Sequence, residues 1–251
     1  MSTKALKTQL LAAVAMVLVA SVALGSSTYA WFASNNKVTA ASMEVKATTG
    51  PNLYIAKGAN VALDGLTATT VNDLGVSNAA ISPAELSDNA GTVTVKNVAT
   101  YNVAPTVSTS GSAATYTDIG TLTTAEATDA SGQDLDNYSA YGFVTIARKQ
   151  TNAGTYTLTP TCTISFGEAS KLNKCIRAGL IINGALYESD AAGIDTAGEA
   201  EFTFANVENL RDNTSYSACL VIWFEGEDEN CTSNNAVKVS TNTATWEFTA
   251  A

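Results

Sequence analysis

From Thr155 to Phe166 the chain reads TYTLTPTCTISF, with Thr or Ser at every odd position and a larger or more apolar residue at every even one. Successive side chains of an extended strand point to opposite faces, so this period of two separates a wet face from a buried one. A strand patterned this way needs a second layer over its apolar face. Shorter segments fit the same reading: MEVKA (Met43 to Ala47), NLYIA (Asn52 to Ala56), TVTVKNV (Thr92 to Val98), YGFVTIA (Tyr141 to Ala147), CIRAGLIING (Cys175 to Gly184), EFTF (Glu201 to Phe204), YSACLVIWFEG (Tyr216 to Gly226) and ATWEFTA (Ala244 to Ala250). Many short strands joined by polar turns predict an all-β sandwich or barrel, with one domain over residues 43–251.

Two segments depart from the strand pattern. ISPAEL offers Ser82 as an N-cap, Pro83 at the first helical position and Glu85 shortly after, which predicts a short helical turn. The segment from Thr106 to Tyr138 is dominated by Ser, Thr, Ala, Gly and Asp, and reads as a long surface loop. In CLVIWFEG, alternation sends Trp223 and Phe224 to opposite faces, one into the core and the other outward or into a second layer. Trp246 and Phe248 share a face and read as core.

Lys4 and Lys7 precede the apolar run LLAAVAMVLVASVAL, which ends in small residues. That order matches a secretory signal, so residues 1–30 are expected to form a signal helix cleaved near Ala30 or Trp31. The run is shorter than the roughly 20 residues that span a bilayer, so contact with the membrane is expected only in transit. The chain carries 23 acidic and 13 basic residues, a formal charge of −10. Loss of Lys4 and Lys7, with no acid before Glu44, brings this to −12. Such a surplus repels phosphate backbones and argues against nucleic acid as a partner.

The chain contains no histidine. A Ser-His-Asp triad, a Cys-His pair and an H-E-x-x-H zinc site all need an imidazole, and no acidic pair suggests glycoside chemistry, so the expectation is a protein that is not an enzyme. Cys162, Cys175, Cys219 and Cys231 lack C-x-x-C spacing, but an even number in an exported chain permits two disulfides. Sequence leaves three connectivities or four buried thiols open. Cys162 with Cys175 is preferred, because SFGEASKLNK between them suits a hairpin turn. Cofactors are not expected. The one candidate is calcium at Glu225, Glu227, Asp228 and Glu229 in the turn WFEGEDENC, since calcium favours clustered oxygens. Asp129, Asp134, Asp136 and Asn137 present the same choice between an ion and a solvated turn.

The junction GSSTYAWF places two large rings where export needs only small residues. Gly25, Ser27, Thr28, Tyr29, Ala30, Trp31 and Phe32, followed by Val38-Thr39 and Met43-Glu44-Val45, resemble the N-terminal region of the TasA/camelysin family, exported through a SipW-type signal peptidase. The resemblance covers about the first fifty residues. It implies a jelly-roll-like antiparallel β-sandwich with long surface loops, secreted to the extracellular space or cell surface of a Gram-positive bacterium. It also implies like subunits as partners in fibres or biofilm matrix, joined when an N-terminal segment completes a neighbour's sheet. Residues 31–42 are then the candidate donor strand, with Trp31, Phe32 and Val38 as its pocket-filling side chains. The alternative expectation is a monomeric surface binding or adhesion module, stabilised by calcium and using the Thr106 to Tyr138 segment. The peptidase label carried by some of the family is not expected to transfer, because it lacks histidine ligands here.

Overall fold

The computed structural model describes residues 40–49, 52–74, 81–98, 116–167, 169–190, 193–228, 230–231 and 242–251. In chain order the strands are β1 (Ala40–Thr49), β2 (Leu53–Lys57), β3 (Thr70–Val71), β4 (Ala84–Asn89), β5 (Thr92–Val98), β6 (Tyr116–Leu122), β7 (Ala127–Asp129), β8 (Ser139–Arg148), β9 (Thr155–Phe166), β10 (Ile176–Ile182), β11 (Ala185–Glu188), β12 (Gly198–Thr203), β13 (Val207–Arg211), β14 (Tyr216–Phe224) and β15 (Asn242–Ala250). Helix is confined to three short 3-10 turns among the described residues. The all-β expectation holds, and every segment read as a strand contributes to one.

The strands form three sheets. The first runs β12-β9-β15-β1-β3, with β13 also paired to β9; the second runs β11-β10-β14-β8-β2; the third runs β4-β5-β6-β7. The first two make an antiparallel sandwich, with β1 and β15 as the one parallel pair among the described strands. Its core contains Met43, Val45, Leu158, Cys162, Trp246 and Phe248 from one sheet, and Ile146, Ala178, Leu180, Leu220, Ile222 and Phe224 from the other.

The second sheet is buried on both faces. Ile181, Cys219, Val221 and Trp223 point away from the sandwich core and pack against Ala84, Val93, Val95, Ile119, Leu122 and Leu135 of the third layer. This explains why ACLVIWF is continuously apolar, whereas TYTLTPTCTISF alternates: a strand covered on both sides has no wet face. Trp223 and Phe224 occupy these two layers, as alternation requires, and Trp246 and Phe248 lie fully buried in the sandwich core.

Pro160 lies in a strand paired along both edges, where a missing N–H would normally be costly. Thr157 exchanges backbone bonds with Ala251 at 3.2 and 3.0 Å, so odd-numbered residues of β9 face the β15 side and even-numbered ones face away. On that far edge β12 ends at Thr203 opposite Thr161, and β13 begins with Val207 opposite Leu158. Pro160 faces the gap between them.

Two sequence expectations are corrected. Ala84–Asn89 is a strand in register with β5, from Ala84 opposite Asn97 to Asn89 opposite Thr92, and not a helical turn. Its partner and the tight turn at Ala90 (φ 51°) and Gly91 (φ 83°) outweigh the local capping pattern of Ser82, Pro83 and Glu85. The described part of the 106–138 segment, from Tyr116 onward, is also no surface loop. It supplies β6, β7 and a 3-10 turn, and its few large apolar residues, Ile119, Leu122 and Leu135, are fully buried.

Candidate functional site

Val38, Trp31, Phe32 and the processing motif Gly25, Ser27, Thr28, Tyr29 and Ala30 lie outside the described residues. The strand that follows them does not. β1 begins at Ala40, three residues before the expected start of the domain, and enters the first sheet between β15 and β3. Its register with β15 runs from Ala40 opposite Asn242 to Thr49 opposite Thr249, with shifts at Ala40/Ser42 and Ala47/Thr49. Met43 and Val45 are fully buried and anchor the strand, while Glu44 and Lys46 pair with each other at 3.4 Å on the outer face.

The other edge of β1 meets only a two-residue strand, with Val45 opposite Val71 and Lys46 opposite Thr70. Flanking bonds run from the Ala47 N–H to the Thr69 carbonyl (2.8 Å) and from the Leu74 N–H to the Met43 carbonyl (3.2 Å). Parallel pairing is slightly less stable per residue than antiparallel pairing, and the bulges interrupt it further. β1 is thus held by a parallel, twice-bulged ladder on one edge and by a two-residue strand on the other, and the N-terminal segment precedes it directly in sequence.

The acidic turn after β14 is held internally. Glu225 accepts from the Trp223 indole N–H (3.1 Å) and the Glu227 N–H (3.3 Å). Asp228 accepts from Arg177 Nη2 (2.8 Å), the Asn230 N–H (2.8 Å) and the Asn230 side-chain amide (2.9 Å). Burial alone would raise the Asp228 carboxyl, but these hydrogen bonds hold it below its ordinary range. Among the described residues no group of three or more His, Cys, Asp or Glu side chains is placed to hold a metal ion, and Glu229 lies outside them. Asp129 and Asp134 likewise cap local backbone, accepting from the Leu135 and Asp136 N–H groups at 2.8 and 3.0 Å.

Glu85 and Glu188 flank the same turn. Burial, then the charge of Glu227, raises the Glu85 carboxyl; burial, then Glu225, raises that of Glu188. One Glu85 oxygen is buried without a hydrogen-bond partner. Sequence reasoning missed both acids, because β4 and β11 bring them to the turn from positions about 140 and 37 residues away. It also missed Arg177, whose position in CIRAGLI gave no sign of its partner.

The hairpin expected between Cys162 and Cys175 does not form. β9 and β10 belong to different sheets, so the intervening segment crosses between layers. Cys162 stands opposite Phe202 and Trp246, and Cys219 faces the third layer, while Cys175 and Cys231 lie in one buried cluster, where Cys231 and burial push the Cys175 thiol up. All four are buried.

No helix among the described residues is long and apolar enough to cross a membrane. Comparison with protein-family models, with curated proteins and with solved structures gives no match for this chain.

Proposed function

We propose that this chain is a secreted structural subunit of extracellular fibres or biofilm matrix, assembling by β-strand addition through its N-terminal arm. The observation that carries this reading is the pairing of β1: the first described strand lies parallel to the last, in a sandwich whose other pairs are antiparallel. An incoming strand on that edge of β15 can restore antiparallel pairing while filling the sites of Met43 and Val45. Residues 31–42 extend the arm, and each aromatic ring of Trp31 or Phe32 buried in a neighbour contributes about 1.5–3 kcal/mol. Because donor and acceptor are different surfaces, the contact is head-to-tail and need not close, which allows it to propagate as a filament. The junction GSSTYAWF supports the same reading through its resemblance to an exported, fibre-forming family.

The test is negative-stain microscopy of the exported protein beside a variant lacking residues 31–41. Fibres from the first, together with a folded, strictly monomeric variant, are expected. Fibres from both would remove the arm from assembly. A monomeric exported protein whose melting temperature responds to calcium or a glycan would favour the binding module.

A further inference from the structure

Cys175 and Cys231 are brought together where the turn after β14 folds back onto the start of β10. Cys175 closes a 3-10 turn, Lys171–Cys175, at the entry to β10, and its carbonyl accepts from the Glu225 N–H at 2.8 Å. The Asp228 N–H then donates to the Glu225 carbonyl (3.2 Å), and the Cys231 N–H to the Asp228 carbonyl (2.9 Å), which folds the turn back onto Cys175. Arg177, two residues beyond Cys175, clamps Asp228 at 2.8 Å. Cys175 and Cys231 are 0% and 2% exposed in one apolar cluster. The other two cysteines are separated by the layers: Cys162 belongs to the sandwich core and Cys219 to the opposite face of the second sheet.

We infer that Cys175 and Cys231 form a disulfide in the exported protein, while Cys162 and Cys219 remain thiols. The bond closes a loop across β10 to β14 and fixes a turn in which Glu225, Glu227 and Asp228 crowd against Glu85 and Glu188, with Arg177 as the cation bonded to it. Loop closure and a held like-charge turn are where a crosslink adds most. In the reaction the Cys175 thiolate attacks an external protein or small-molecule disulfide and releases one thiolate. The Cys231 thiolate then attacks the Cys175 sulfur and releases the second. Two electrons pass to the oxidant disulfide, which becomes two thiols by taking up the two protons lost. Contact with Cys231 and burial both hold the Cys175 thiol protonated in the folded protein, so the bond forms before the turn closes over it.

This inference rests on export to an oxidising compartment and not on fibre assembly. The test is to refold the full chain with oxidised and reduced glutathione, alkylate under denaturing conditions, and digest with trypsin and a glutamate-specific protease. The expected product links Cys175–Arg177 to a fragment that carries Cys231 without Cys219, with Cys162 and Cys219 alkylated. Alkylation of all four cysteines, or linkage of Cys175 to Cys162 or Cys219, would overturn it. As a second readout, reductant is expected to lower the melting temperature of the chain and of a Cys162→Ala/Cys219→Ala variant by roughly 10 °C. A Cys175→Ser/Cys231→Ser variant should be unmoved, and an equal fall there would count against the bond.

Discussion

Arg148 joins the ends of several strands through one guanidinium. Its Nε donates to Asp212 (2.6 Å), Nη2 to the Thr155 carbonyl (3.1 Å) and Nη1 to the Ala251 carbonyl (3.2 Å), and it lies 4.7 Å over the Tyr156 ring. The Asp212 side chain is 2% exposed and also accepts from the Gly154 N–H (2.8 Å). Asp212→Ala leaves the half-buried Arg148 with only its two carbonyl partners and the Tyr156 ring, and leaves the Gly154 N–H without its acceptor, so it is expected to destabilise the fold by about 2 kcal/mol in urea denaturation. A loss below ~1 kcal/mol would show that water and the two carbonyls replace the carboxylate at little cost. Gly91 is constrained by shape instead. It has φ 83°, and an added Cβ would approach the Gly184 backbone at 2.7 Å, where the β4–β5 and β10–β11 turns touch. Gly91→Ala should therefore cost ~2 kcal/mol, through strain and through separation of the two turns.

Of the sandwich strands, β1 is expected to open first, since its one long ladder is parallel and bulged. Its amides from Met43 to Ala47 are expected to exchange with deuterium faster than those of Thr161 to Ser165 in β9, which lie between the antiparallel neighbours β12 and β15. Equal protection would mean that β1 leaves only with global unfolding. The strands themselves were legible wherever their pattern was long: β5 and β9 have the bounds read from TVTVKNV and TYTLTPTCTISF. β4 was not, because Ser82, Pro83 and Glu85 form a local helix signal that pairing with β5 overrides. β6 and β7 escaped for a different reason. Their faces cover Trp223 with only a few apolar residues, and composition alone cannot weigh a residue such as Leu135 that is fully buried. The Cys175–Cys231 contact was beyond spacing arguments, since it depends on how the layers stack.

The described residues from Ala40 onward form a β-sandwich with a third sheet packed against its second, and their charge is unevenly tolerated. Glu85 and Glu188 have carboxyls raised above their ordinary 4.5, so the folded state binds their protons more readily than the unfolded chain and gains stability as pH falls through that range. Asp212, held down by Arg148, and Asp228, held down against burial by Arg177, act in the opposite sense. Their contribution is present above the ordinary aspartate value of 3.8 and is lost as pH falls below it. Melting temperature should therefore rise as pH falls from neutral toward the ordinary glutamate value of 4.5 and drop once pH falls below the ordinary aspartate value of 3.8, with Glu85→Gln flattening the rise. A monotonic fall from pH 7 would show that the aspartates dominate throughout.

In the proposed assembly, residues 31–42 are the segment that joins subunits. The most direct measurement is intact mass and N-terminal sequencing of the protein from its producing culture, followed by size-exclusion chromatography across a range of concentrations. A mature chain starting at Trp31 or Phe32 that elutes as concentration-dependent high-mass assemblies is the expected result. A chain cut at the same place that elutes as one monomeric peak at every concentration would contradict it.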